Sequence, residues 1–164
     1  EEGRMNFNMS SQLIDEVIEE AVRHVKRKEN HHPITIACED KILMAKMDAK
    51  LIIQVILNLI DNAMKYTPAG TEIKITAEKK QDYIYVSVID CGPGIPDEIK
   101  THVFEMFFTG NKKIGDSRRS LGLGLSLCKS IVEAHGGKIT LTDNMPQGVI
   151  FSFSLPASEV NMNE

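Results

Sequence analysis

The chain has 164 residues, enough for one domain with a sizeable core, and its 42% hydrophobic and 26% charged residues are the composition of an ordinary soluble globular protein. Nineteen basic against 23 acidic residues leave a net charge of -4, which gives no support for a nucleic-acid surface. Cys38, Cys91 and Cys128 are odd in number, widely spaced and without a CxxC pair, so they suggest reduced cytosol rather than a disulfide framework or a zinc site, and neither a membrane span nor a signal peptide is visible.

Residues 1–10 show little periodicity and are expected to be a tail or the end of a preceding element. From Ser10 or Ser11, both plausible N-caps, the apolar positions Leu13, Ile14, Val17, Ile18, Ala21, Val22 and Val25 recur at helical spacing and predict an amphipathic helix to about Lys28. Two short strands follow, Ile34 to Cys38 and Leu43 to Met47. Asp48 then caps a long helix that buries Leu51, Ile52, Val55, Ile56, Leu59 and Ile60 and ends near Tyr66.

Thr71 to Glu78 and Tyr83 to Asp90 alternate apolar with polar residues and predict a hairpin. Pro96 to Val103 suits a short helix. From Phe104 to Ser120 regular periodicity disappears, a length at which loops inside compact domains are often functional. A further helix runs from Gly122 and Gly124 through Leu127, Ile131 and Val132 to His135-Gly136-Gly137. A last hairpin joins Lys138 to Thr142 with Val149 to Leu155 around Pro146-Gln147-Gly148. The expectation is one α/β sandwich over residues 11–156, a mixed sheet with helices on one face, and a frayed end at 157–164.

Two phosphate motifs fail on inspection. Gly110 to Gly115 has P-loop glycine spacing, but Asp116 stands where the motif needs Lys. Gly122-Leu123-Gly124 starts like a dinucleotide fingerprint, but its third position is Leu127 and no strand precedes it. What survives is a loop that ends at a helix N-terminus, where free N–H groups and the helix dipole favour an anion.

The most informative stretch is Asp90-Cys91-Gly92-Pro93-Gly94-Ile95-Pro96. A strand that ends in a carboxylate followed by glycines gives up packing, but it lets a flat ligand approach the backbone while the carboxylate accepts from an amine. A plain Pro-Gly turn is the competing reading. On the long helix, Asn58, Asn62, Lys65 and Tyr66 lie at offsets 0, 4, 7 and 8 and share a stripe, with amide oxygens for a hard cation and an ammonium for phosphate.

The segments N-L-I-D-N-A-M-K-Y, D-C-G-P-G-I-P, F-E-M-F-F, G-L-G-L-S-L and A-H-G-G occur in that order. Together they resemble the N, G1, F and G2 boxes of the catalytic ATP-binding domain of sensor histidine kinases, in the superfamily shared with gyrase, the Hsp90 chaperones and MutL. The resemblance implies a Bergerat-type ATP-binding fold with ATP and Mg2+ as cofactors. It gives Asp90 the adenine amino group, with Gly92, Gly94 and Ile95 beside the ring. It assigns the metal to Asn62, a second polar contact to Asn58, phosphate to Lys65, and a neighbouring aromatic to Tyr66. Gly122, Leu123, Gly124 and Leu125 match the lid-end segment around the phosphates. Phe104, Phe107 and Phe108 match the lid anchor, with a plain core role as the alternative.

Three departures from the family pattern sharpen the expectation. Asn58 stands where the hydrolases of this fold carry a water-activating glutamate, and an amide is no general base, which favours phosphoryl transfer. Met106 and Thr109 replace basic residues found in many of the kinases, so Lys112, Lys113, Arg118 or Arg119 would have to face the γ-phosphate, unless these are a solvated charge run. His24, His32 and His102 all lack the acidic residue that follows a phosphoacceptor histidine. The implied activity is therefore phosphoryl donation to a histidine on a separate dimerisation domain, with a response regulator downstream, in a cytoplasmic part of a membrane-anchored sensor. The lid segment F-F-T-G-N-K resembles the potassium-responsive Kdp-type branch. The alternative is a nucleotide-gated interaction module or an anti-sigma-type serine kinase of the same fold.

Overall fold

A computed structural model describes residues 7–28, 32–38, 42–65, 67–105 and 123–158. The strands are β1 (Ser10–Leu13), β2 (Ile34–Cys38), β3 (Met44–Met47), β4 (Ile73–Lys80), β5 (Tyr83–Asp90), β6 (Ile139–Asp143) and β7 (Val149–Pro156). The helices are α1 (Ile14–Lys28), α2 (Ala49–Lys65), α3 (Asp97–Lys100) and α4 (Leu123–Ala134). Five strands form one sheet in the order β2-β4-β5-β7-β6, and β1 and β3 form a separate pair. The β2·β4 pairing is parallel, and every other pairing in the large sheet is antiparallel.

Alternation decides which face is covered. Ile73, Ile75 and Ala77 of β4, Ile84, Val86 and Val88 of β5, and Phe151, Phe153 and Leu155 of β7 are buried. They pack under α1, α2 and α4, with α2 in the middle. The opposite face presents Thr76, Ser87, Ser152 and Thr140 in register across four strands, and Ser87 Oγ lies 2.7 Å from Ser152 Oγ. The expected α/β sandwich with helices on one face is the observed architecture.

Several boundaries differ from expectation, each for a local reason. Ser10 and Ser11 do not cap α1. They extend as β1 against β3, so the helix begins at Ile14, and Leu13 belongs to the strand. Residues 71 and 72 belong to the preceding turn, because the Thr71 N–H donates to Pro68 O at 3.1 Å, and β4 starts at Ile73. The short helix after Pro96 is one turn, closed as the His102 N–H donates to Ile99 O at 2.9 Å.

Asp48 caps α2 as its residue type suggests: Oδ1 accepts the Leu51 N–H at 3.4 Å. Its Oδ2 accepts the Asn8 N–H at 2.9 Å, and this bond above all holds the carboxyl below its usual range. His135 closes the same corner. Its Nε2 accepts the Asp48 N–H at 3.1 Å, its Nδ1 lies 2.8 Å from Ile131 O, and its ring stacks 4.7 Å from that of Phe7. A buried imidazole with both nitrogens engaged is a structural fixture. At the other end of the chain, the Ala157 N–H donates to Asp82 O and the Ser158 N–H to Met44 O, both at 2.8 Å.

Candidate nucleotide site

The site is built where the C-terminal part of α2, the end of β5 and the start of α4 meet. Asp90 closes β5 opposite Ile73 of β4 and Val149 of β7, and it is buried. Its Oδ1 accepts the Gly92 N–H at 2.9 Å. Burial pushes the carboxyl above its ordinary range, and the N–H groups of Gly92 and Val149 partly offset this. A carboxylate has more acceptor sites than these two N–H groups fill, so a desolvated one at a strand end can also accept from an amine on a ligand.

Gly92 is buried beside Thr67. A β-carbon there would overlap Thr67 Cγ2 and sit 3.2 Å from Thr67 Cβ. Thr67 is fixed from the other side, since its hydroxyl donates to Ala63 O at 2.8 Å and lies 3.1 Å from His32 Nε2. The end of α2 is thereby locked to the loop after β5. Gly94 has φ +89°, a backbone conformation suited to glycine.

On α2, Asn62 is buried, and its Nδ2 donates to Asn58 O at 2.9 Å. With the amide nitrogen held, the side-chain carbonyl oxygen is the group left for a cation, and a magnesium ion needs few protein oxygens when phosphates supply others. The residue set therefore fits such an ion. Asn58 faces α4: a β-carbon on Gly124 would lie 3.6 Å from Asn58 Oδ1, and Asn58 also hydrogen-bonds the buried thiol of Cys128. Asp61 is exposed.

The structure thus brings Asn58, Asn62 and Gly124 together, and it joins Asp90 and Gly92 to α2 through Thr67. Lys65 is half-buried near the end of α2 and is engaged in an interaction of its own. Ile95 and Leu125 pack partly into the core, and so does Phe104, which meets Phe151 edge-to-face at 6.2 Å. Leu123 opens α4. Tyr66, Met106, Phe107, Phe108, Thr109, Lys112, Lys113, Arg118, Arg119 and Gly122 lie outside the described residues.

Sequence reasoning missed Thr67, whose place in a Thr-Pro-Ala-Gly turn signals only a helix end. It also missed Asn144 and Gln147, ordinary turn residues whose side-chain amides reach the backbone at Asp90 and Cys91.

Residues 47–159 match the family model described as histidine kinase-, DNA gyrase B-, and HSP90-like ATPase. The chain is 44% identical over 157 residues, 95% of its length, to the sensor protein KdpD of Clostridium acetobutylicum, and it spans only 17% of that relative. It is similar to the nucleotide-free catalytic domain of histidine kinase ThkA, with a TM-score of 0.79 and 33% identity over 93% of this chain and all of that one. A structure of ThkA in complex with the response regulator TrrA gives a TM-score of 0.76 at 33% identity, covering 92% of this chain and 42% of that one.

Proposed function

The chain belongs to the family of histidine kinase-, DNA gyrase B-, and HSP90-like ATPases, and on that premise we propose that it binds Mg-ATP and donates the γ-phosphoryl group to a histidine on a separate dimerisation domain. The observation that carries the reading is the buried Asp90 carboxylate, set at a strand end beside a glycine too crowded by Thr67 to bear a side chain. Adenine would lie against Gly92 and Gly94 with its amino group on Asp90. The oxygen of Asn62 would hold magnesium, which neutralises phosphate charge during transfer.

The chain's own residues do positioning work. Asn58 supplies an amide next to the N-terminus of α4, where Gly124 leaves space and the helix dipole favours phosphate. Lys65 and Leu125 would flank the phosphates and Ile95 the base, and the resemblance adds Tyr66, Lys112, Lys113, Arg118 and Arg119 as further residues that would meet the nucleotide. No residue here is assigned as a general base, because phosphoryl transfer depends mainly on alignment and charge neutralisation.

The whole protein is proposed to be a two-component sensor kinase of the Kdp-type branch, with this domain on the cytoplasmic side and a response regulator as downstream partner. Similarity to a KdpD over 95% of the chain supports the branch. Among the described residues no helix is long and apolar enough to cross a membrane. The interaction-module and serine-kinase alternatives are not favoured, because the similar proteins are histidine kinases. The test mixes this chain with a dimerisation domain bearing an acceptor histidine and γ-labelled ATP. Acid-labile label on histidine is expected, whereas acid-stable label on serine would overturn the reading.

A further inference from the structure

We infer that Asn144 and Gln147, in the turn between β6 and β7, are positioning residues for the Asp90 carboxylate, acting on its backbone from the far side of the loop. The inference rests on the reading of Asp90 as the adenine acceptor.

The need for such a clamp follows from the sheet. Asp90 is the last residue of β5, in the end pairs Ile73↔Asp90 with β4 and Asp90↔Val149 with β7, and the chain leaves both ladders after it, where the site begins. Carbonyls at such a point need other donors. Asn144 Nδ2 donates to Asp90 O at 2.9 Å, and Gln147 Nε2 donates to Cys91 O at 3.0 Å. These two bonds restrain the peptide units on either side of Cys91, and with them the direction of the Asp90 side chain and its bond to the Gly92 N–H.

The clamp is itself anchored. Asn144 Oδ1 accepts the Met145 N–H at 2.9 Å, and the Asn144 N–H donates to Gly148 O at 2.9 Å. Lys100 Nζ ties Asp143 at 2.7 Å and Asp97 at 2.8 Å, joining the turn to α3. Gly148 brings the turn into contact with the strand end: a β-carbon on it would lie 2.8 Å from the Asp90 carbonyl carbon and 2.9 Å from Cys91 Cα. The turn and the loop at Pro93–Pro96 enclose a groove of about 590 Å³, lined by both segments. The polar side chains of this turn are therefore spent on the loop that carries Asp90. A loop ordered in advance loses less entropy when ligand arrives.

The test titrates a non-hydrolysable ATP analogue and its guanine counterpart into the parent chain and into Asp90→Asn, Asn144→Asp, Gln147→Ala and Asn144→Ala/Gln147→Ala variants, with thermal melts alongside. Gln147→Ala removes the donor to Cys91 O alone and remains informative if the double variant does not fold, while Asn144→Asp keeps the acceptor for the Met145 N–H and sets a charged oxygen where the donor to Asp90 O and Cys91 Sγ stood. Loss of one or both donors is expected to weaken the adenine nucleotide about tenfold and to narrow the preference for adenine over guanine, the size of one net hydrogen bond's worth of ordering. Unchanged affinity in these variants, or an equal loss for both nucleotides, would overturn the inference while Asp90→Asn still showed the expected loss. Normal adenine binding by Asp90→Asn would instead remove the reading of the site on which it rests.

Discussion

Thr67 Cγ2 fills the space that a β-carbon on Gly92 would need. The threonine cannot swing aside without breaking its bond to Ala63 O at 2.8 Å and its contact with His32 Nε2 at 3.1 Å. Gly92→Ala is therefore expected to cost about 1–3 kcal/mol of stability, as overpacking does, and to weaken nucleotide binding. Adding Thr67→Ser removes Cγ2 and keeps the hydroxyl, so the double variant should recover part of both losses. A double-mutant cycle on melting and on ATP affinity checks this, and strictly additive effects would mean the two residues do not oppose each other.

Asp90 couples stability to pH in a direction its burial sets. Its folded pKa is raised, above all by desolvation, so the native state holds this proton at a pH where the unfolded chain has released it. Stability from this group is present below the unfolded pKa and is lost as pH rises through the folded one. Asp90→Asn keeps an oxygen for the Gly92 N–H and carries no charge. The variant should lack the loss of stability that the parent shows as pH rises through the folded pKa of Asp90, while its ATP affinity falls. Melts across pH, paired with titrations, separate the two effects.

Asn62 contributes little to the fold beyond one hydrogen bond to Asn58 O at 2.9 Å. Its replacement by Ala should cost about 1 kcal/mol of stability. The larger effect is expected on binding: magnesium should tighten ATP binding by the parent and should cease to do so in the variant. Titrations with and without magnesium measure it.

The three thiols should differ in reactivity. Burial pushes Cys128 up to about 12 and also raises Cys38, with Asp15 and Glu19 adding to the latter. Cys91 is exposed. Iodoacetamide at mildly alkaline pH should modify Cys91 first, Cys38 more slowly and Cys128 only after unfolding, because the thiolate is the nucleophile. Mass spectrometry of the peptides reads the order, and native labelling of Cys128 would contradict the packing of α4 against α2.

The elements whose signals are local were legible. Asp48 announces α2 by residue type, and alternation places β5 at Tyr83–Asp90. Strand β1 was not legible: Ser10–Leu13 carries no alternation, and its serines look like helix caps until β3 pairs with them. The same division holds in the site. Asp90, Asn58 and Asn62 have types and spacings that suggest their chemistry, whereas Thr67, Asn144 and Gln147 act through contacts with the far side of a loop. The contacts of Asn144 and Gln147 exist only once β7 has come alongside β5, and that of Thr67 with Gly92 only once α2 has packed on the sheet, so no local pattern reports them.

The most direct measurement is calorimetric titration of the chain with a non-hydrolysable ATP analogue, with and without magnesium, and with the guanine counterpart. Saturable binding that magnesium tightens and that prefers adenine is the predicted result. No heat of binding at millimolar nucleotide, or equal affinity for adenine and guanine, would contradict the assignment of Asp90 and the function built on it.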